Sequence, residues 1–378
     1  MKYITALLTI LFISSLSSPS WSEPVNMRDL VERNKLWYQK FTDVPFNGEV
    51  SGLTNGEIKN GKRNGIWKTY WENGQLQFLG SYKNGINHGI FEDYSEDGKL
   101  EWRQSYKNGL SEGISEHYFS NGKIRLRDNY KNDRRHGVSK TYHENGQLRK
   151  KVSYEDGKRE GPLVKFDENG NLILKANYKN DEVDGLHEVY WDNGQIANTG
   201  HYKNGRIEGF YMEYRENGVL VHKGSWVDGK RNGLVEYYFD SGNLKEKIAY
   251  KNGKKNGPFE IYHLNGKLSR KGSHKNNKLE GLLEEYYENG QLDSKENFKD
   301  GRSDGPAELY HENGQLMFEG NFKNGKPGDG SITVYYSNGQ VNFTGNHENG
   351  KEHGLWEFYK DDGSLERKET YKDGEVIE

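Results

Sequence analysis

Apolar and polar positions alternate along this chain in short runs, and the runs return on a fixed count. In Leu316-Met317-Phe318-Glu319-Gly320-Asn321-Phe322, the residues that share Leu316's phase are apolar or glycine, while Glu319 and Asn321 fall between them. A period of two marks a strand with one face turned to a core. Leu316, Phe318, Gly320 and Phe322 are therefore expected on one face, with Gln315, Met317, Glu319 and Asn321 on the other. Just upstream stands Tyr310-His311-Glu312-Asn313-Gly314-Gln315-Leu316: an aromatic residue, a turn, and an aliphatic residue returning. The phrase predicts a β-hairpin.

Thirteen turn glycines from Gly74 to Gly363 repeat that phrase at a spacing of 24 residues, with one interval of 25 where Pro327-Gly328 swells a connecting loop. Self-similarity at a fixed period signals an array. Four residues before each turn glycine lies Tyr in twelve copies and Phe166 in the other; two residues after it lies Leu, Ile or Val in all thirteen. The Tyr and the aliphatic residue are six apart, so they face each other only across a loop of odd length. That favours three residues, such as Glu312-Asn313-Gly314, in a type I turn closed by a left-handed glycine. The second connection, as in Lys203-Asn204-Gly205-Arg206-Ile207-Glu208-Gly209, is expected to be longer, with its final glycine starting the next strand. Gly80, Gly200, Gly224, Gly272, Gly320 and Gly345 share one repeat position, where a missing side chain leaves room for a neighbouring ring.

One hairpin alone buries too little to be stable, whereas stacked hairpins complete each other's apolar stripe. The expected fold is all-β: an elongated single-layer antiparallel β-meander of stacked 24-residue hairpins. At two strands per repeat, thirteen repeats would extend on the order of 120 Å. Residues 46–378 form this array of about thirteen hairpins with partial repeats at its ends. Residues 23–45 form a lead-in and cap, with strands expected around Asn34-Lys35. Residues 1–22 read as a signal peptide. Met1-Lys2-Tyr3 precedes an apolar run from Ile4 to Leu16, and Ser20-Trp21-Ser22 offers a small-x-small exit. The run is too short for a spanning helix. The protein is therefore expected to be exported to the periplasm, the outer surface or the medium.

Composition narrows the classes further. Apolar residues are only 32%, yet the chain holds 26 Tyr and 47 Gly, which suits a thin β structure and argues against disorder. The net charge of −3, with lysines and acids interspersed, lacks the basic footprint of a nucleic-acid binder. Without cysteine there is no disulfide or thiolate site.

Tyr-x-x-Asn-Gly-x-Leu, followed by Tyr-Lys-Asn-Gly-x-x-x-Gly as in Tyr202 to Gly209, resembles the MORN repeat in its bacterial variant form. Pro45-Phe46-Asn47-Gly48 resembles the entry segment of bacterial YwqK-like antitoxins. The resemblance covers residues 30–378 and implies a single-layer β array used as a binding or scaffolding surface, with membrane, protein and toxin partners. The apparent export signal departs from a cytoplasmic antitoxin.

No catalytic or cofactor constellation emerges. His143, His263 and His311 share one repeat position but lie successively five and two repeats apart, too far to ligate one metal. Glutamate recurs three residues after the strand-starting glycine at Glu92, Glu116, Glu188, Glu236, Glu260, Glu284, Glu308 and Glu357. Such repetition points to a Lys-paired structural ladder, because an active site is a local exception. The aromatics that vary between copies, Trp102, Trp191, Phe239 and Tyr287, are the candidate partner contacts. The expected function is a non-enzymatic exported binding or scaffolding surface, without cofactor or metal. Its partner is expected to be a protein, with association to a membrane surface or envelope and not to nucleic acid. An antitoxin or immunity protein and a glycan- or lipid-binding envelope module are the alternatives.

Overall fold

A computed structural model describes residues 23–378; the expected signal peptide, residues 1–22, lies outside them. The chain divides into one unit ending at Gly146 and another running from Gln147 to Glu378. Each is a meander in which consecutive strands pair antiparallel. In the second unit Arg302–Tyr310 and Leu316–Lys323 form a typical hairpin. In the first unit Leu110–Tyr118 and Ile124–Lys131 do the same. One 3-10 turn, Met27–Asp29, interrupts the β structure near the start of the first unit. The all-β hairpin array expected from the repeats is the fold observed.

Both connections follow from turn chemistry. At the Glu-Asn-Gly tip, the His311 N–H donates to the Gln315 carbonyl at 2.7 Å and the Gly314 N–H donates to the His311 carbonyl at 2.7 Å. Gly314 sits at φ 85°, and Tyr310 pairs with Leu316. This is the three-residue loop with a left-handed glycine that parity required.

The second connection differs from expectation. Lys203 pairs with Arg206, leaving Asn204 (φ 48°) and Gly205 (φ 73°) as a two-residue turn. Positive φ at both central residues is the type I′ geometry that matches strand twist. The strand therefore restarts at Arg206, ahead of Gly209. Gly209, at φ 90°, belongs to an irregularity further along, where the register slips between Gly200 and Tyr202. Insertion of that bulge made the connection look long.

A second bulge overturns the expected phase of the returning strand. Tyr310 pairs with Leu316 but Leu309 pairs with Phe318, so Met317 is the extra residue. Leu309 and Tyr310 point to opposite faces, and their partners must too. Leu316 therefore leaves the face of Phe318, Gly320 and Phe322 and joins Tyr310, Glu319 and Asn321. The core lies on the face opposite the Tyr–Leu pair.

That inner face is built from strand positions seven before and six and eight after each turn glycine. In the second unit Val235, Ile248, Tyr250, Phe259 and Leu283 form one buried cluster. In the first unit Leu30, Phe46, Val50, Ile58 and Trp67 form another. Leu30 reaches it from the lead-in hairpin, Leu30–Arg33 with Leu36–Gln39, which turns through Asn34 and Lys35 at positive φ. Two bulges per hairpin bend the strands about this face, so that neighbours along a row close over one another.

Small and large residues complement each other along it. A Cβ at Gly56 would lie 2.4 Å from the Trp67 ring, one at Gly80 2.8 Å from Phe91, and one at Gly345 2.2 Å from Trp356. The glycines at this shared position make room for rings, as the sequence suggested.

Candidate functional site

The outer face carries three parallel rows along each unit. Nearest the Glu-Asn-Gly tips is the half-buried Tyr–Leu pair. Next comes the glutamate row, paired across strands with Lys or Arg. Beyond it lies the residue directly after each bulge glycine.

The glutamate row is fully engaged with its neighbours. In the second unit the Tyr238 hydroxyl donates to Glu236 Oε2 at 2.7 Å, and Lys223 Nζ stands 2.9 Å from the same carboxylate. In the first unit Tyr118 donates to Glu116 at 2.6 Å, with Arg127 2.6 Å away. The Tyr238 hydrogen bond, with help from Lys223, holds the Glu236 carboxyl below its usual range despite partial burial. Burial, then the bond to Glu116, pushes the Tyr118 phenol up to about 12. These are structural triads of phenol, carboxylate and cation.

The third row is different, because its side chains are apolar and open to solvent. In the first unit Ile66, Ile90 and Ile114 are exposed, Ile66 by 60%, and the half-buried Val138 continues the row. In the second it runs through Leu186, Phe210, Leu234, Leu282 and Leu355, with prolines at 162, 258 and 306 and Ser331 between them. Phe210 is 64% exposed. Their cross-strand partners are small or polar: Phe210 faces Ser225, Leu282 faces Asn297, Ile66 faces Ser81. Members of the row recur every second strand, about 10 Å apart. Scattered surface apolar residues need no explanation, but a continuous stripe marks an interaction surface. The stripe is formed by the residue following Gly65, Gly89, Gly113 and their equivalents, which is apolar in twelve of thirteen copies.

The aromatic candidates sit elsewhere and are not brought together. Trp191, Phe239 and Tyr287 each follow a ladder tyrosine at a hairpin tip, in separate hairpins of the second unit. Trp191 Nε1 donates to the Tyr214 carbonyl at 3.2 Å, and the Tyr287 hydroxyl donates to the Tyr310 carbonyl at 2.7 Å. Each bond ties one hairpin to the next. His263 and His311 meet the corresponding carbonyls of Tyr286 and Tyr335 at 2.8 and 3.3 Å, which gives those histidines a structural role. The turn asparagine adds a second tie: Asn289 Nδ2 donates to the Glu312 carbonyl at 3.0 Å while its Oδ1 accepts from the Gln291 N–H at 2.8 Å. Phe239 lies under Lys245, whose Nζ is 5.8 Å from the ring centre. Trp102 occupies the inner face of the first unit, its ring 6.5 Å from that of His117.

Four inner-face histidines make folding pH-dependent. Burial pushes His117 in the first unit, and His187, His222 and His274 in the second, below the usual imidazole value. The folded chain keeps them neutral while the unfolded chain protonates them as pH falls past about 6.5. Their contribution is full above that value and is lost as pH drops toward the lower folded values. Glu116, Glu236 and Glu308, held below the usual carboxylate range, stay charged through that window. The urea midpoint of the whole protein is expected to be lower at about pH 5 than at about pH 8. Replacing His187, His222 and His274 by Phe should flatten that slope, and a wild-type midpoint independent of pH would refute the assignment.

Comparison with known proteins places this geometry. The MORN repeat variant profile matches residues 63–84, 87–108, 111–132, 135–156, 159–180, 183–204, 231–252, 255–276, 279–300, 303–324 and 352–373. The hairpins at Gly218 and Gly339, outside those segments, close with the same pair of turn bonds. No curated protein matches the chain. Among solved structures, the crystal structure of TcdB2-TccC3 aligns at 12% identity over 85% of this chain and 20% of that one, with a TM-score of 0.17. The Photorhabdus luminescens Tc holotoxin pore aligns at 12% identity over 82% of this chain and 19% of that one, also at 0.17. The chain thus spans about a fifth of the length of those structures, and likeness at that TM-score carries no argument. The profile is another matter: its eleven matched segments cover more than half of the sequence, and the chain belongs to the MORN repeat variant family.

Proposed function

We propose that the protein is an exported, non-enzymatic binding or scaffolding protein whose partner is a protein lying along the outer-face stripe. The observation that carries this is the row of solvent-open apolar side chains in the second unit, from Leu186 through Phe210 and Leu282 to Leu355. A repeat array gives each of them the same surroundings at a constant pitch, which suits an extended partner. The neighbouring glutamates are already paired with Lys and Tyr, so the stripe offers apolar contact and the flanking Ser and Asn offer hydrogen bonds. Export rests on Met1 to Ser22, and the absence of a catalytic constellation in the sequence supports a binding role.

The test expresses the chain with its native N-terminus, fractionates the cells and cross-links the extracytoplasmic fraction. Wild type is compared with a Phe210→Ser, Leu234→Ser, Leu282→Ser variant. These side chains are exposed, so the melting temperature should barely move, while a specific cross-linked protein should disappear. A partner captured equally by both would exclude the stripe, and retention of the wild type in the cytoplasm would exclude export. The antitoxin reading rests on Pro45-Phe46-Asn47-Gly48, but Phe46 is buried in the first unit's core and so has a packing role. Rescue of growth against a toxin encoded beside the protein is the result that would favour it.

A further inference from the structure

The regularity of the first unit fails at one hairpin tip. At the neighbouring tips of that unit an asparagine ties the hairpin to the next, as where Asn121 Nδ2 donates to the Glu144 carbonyl at 3.0 Å, and at one of them a ring adds a second tie. Trp71 Nε1 donates to the Tyr94 carbonyl at 3.2 Å, and Asn73 Nδ2 donates to the Glu96 carbonyl at 2.8 Å. At the following tip the equivalent positions hold Ser95 and Asp97. Both turn inward: the Ser95 hydroxyl bonds to Asp97 and to the Lys99 backbone, and Asp97 pairs with Lys99 Nζ at 2.7 Å. A serine is too short to reach the next hairpin, and a carboxylate has no proton to donate to its carbonyl. Without those ties a cleft of about 410 Å³ opens between this tip and the one at Phe119 and Ser120.

The cleft is lined with side chains unlike those of the other repeats. Trp102 pairs across strands with Asp93 on one side and His117 on the other, and all three project from the inner face. Their position is away from the outer stripe and independent of it. Glu101 and Arg125 are the bulge residues of consecutive hairpins and also line the cleft. Burial first, and then the charge of Glu101, pushes the Asp93 carboxyl above its usual range. The cleft therefore combines a half-exposed indole, the carboxyl groups of Asp93, Asp97 and Glu101, the Lys99 ammonium and the Arg125 guanidinium. Its volume lies in the range of small-molecule sites, where an apolar wall and a few convergent polar groups fix orientation.

We propose that this cleft is a saccharide-binding subsite that takes one neutral hexose unit of an oligosaccharide. A pyranose presents a patch of C–H groups on one ring face, which suits the flat apolar indole of Trp102. Its hydroxyls radiate from the ring edge as donors to Asp93 and Glu101 and as acceptors from Arg125. The mixture of carboxyl and guanidinium groups balances donors against acceptors, as a neutral polyol requires. A purely anionic or purely cationic ligand would leave one sign facing its like.

Isothermal titration of the full chain with maltotriose and with cellotriose, each compared with glucose, tests the proposal, with Trp fluorescence as a second readout. At least one trisaccharide should bind saturably, and Trp102→Ala should weaken it by about tenfold or more. Glu101→Gln, a surface change that leaves the strands intact, should weaken binding severalfold. Trp191→Ala, in the second unit, should leave it unchanged. Circular dichroism and melting curves of each variant separate lost binding from lost folding. Failure of both trisaccharides to bind at millimolar concentration, or binding indifferent to Trp102→Ala and Glu101→Gln in folded protein, would overturn the assignment.

Discussion

Replacing Gly345 by valine should destabilise the last hairpins of the second unit by roughly 1–3 kcal/mol, because the glycine stands against a buried tryptophan ring. A Cβ at Gly345 would lie 2.2 Å from Cδ2 and 2.3 Å from Cε2 of Trp356, a ring only 6% exposed. No rotamer relieves such a contact, because the glycine backbone itself brings the ring that close. Overpacking of this kind costs roughly 1–3 kcal/mol and sometimes more. Trp356→Ala, from the other side, should cost about 3–5 kcal/mol through lost burial and the cavity left behind.

The informative variant is the double one. Val152 faces Leu163 and Ile248 faces Phe259 in the same two rows, so branched residues are tolerated where the opposite partner leaves space. Gly345→Val with Trp356→Ala should therefore recover stability relative to the sum of the singles, with a coupling of about 1–3 kcal/mol. Urea denaturation and limited proteolysis would measure it. Simple additivity would mean that glycine and ring do not answer one another.

The turn chemistry and the period of two were readable because both are local. Gly314 has to be glycine at φ 85° in a three-residue loop, and parity between Tyr310 and Leu316 follows from counting. What escaped counting was the bulge at Met317, which shifts phase by one residue and moves Leu316 to the other face. Nothing local marks Met317, since that position holds Gln77, Glu101, Arg125 or Ile173 in other copies. The bulge is a property of pairing rather than of a residue type. The same slip hid the outer stripe: Ile66 and Phe210 look like core residues until the inner face is known to hold Trp67 and Tyr211. Trp191 and Tyr287 looked variable because the tie to the next hairpin needs only a ring with a donor. Trp, Tyr and His all supply one.

The second large effect belongs to the inner face of the first unit, where a charge replaces an apolar residue. Asp128 is 1% exposed at the repeat position that holds Val152 and Ile248 in the second unit. Buried Ser115 and Ser139 occupy the adjoining row, and Arg135 Nε reaches Asp128 Oδ2 at 3.0 Å. The other carboxylate oxygen, Oδ1, has no hydrogen-bond partner, so the guanidinium is the principal compensation for this charge.

Removing one member of a buried ion pair typically costs about 3–5 kcal/mol, because the other charge is left uncompensated. Arg135 is partly solvated, so Arg135→Met should fall toward the lower end, about 3 kcal/mol. Replacing both members by apolar residues should behave differently, since the desolvation cost of two charges disappears with them. Asp128→Val with Arg135→Met is expected to return close to wild-type stability, within about 1 kcal/mol. Urea denaturation of the three proteins decides the matter. If the double variant stays as unstable as Arg135→Met, the loss comes from the packing of the arginine stem. If it recovers, the cost of Arg135→Met was the stranded carboxylate. The pair would then be a local solution to placing an acid where the repeat elsewhere places valine or isoleucine.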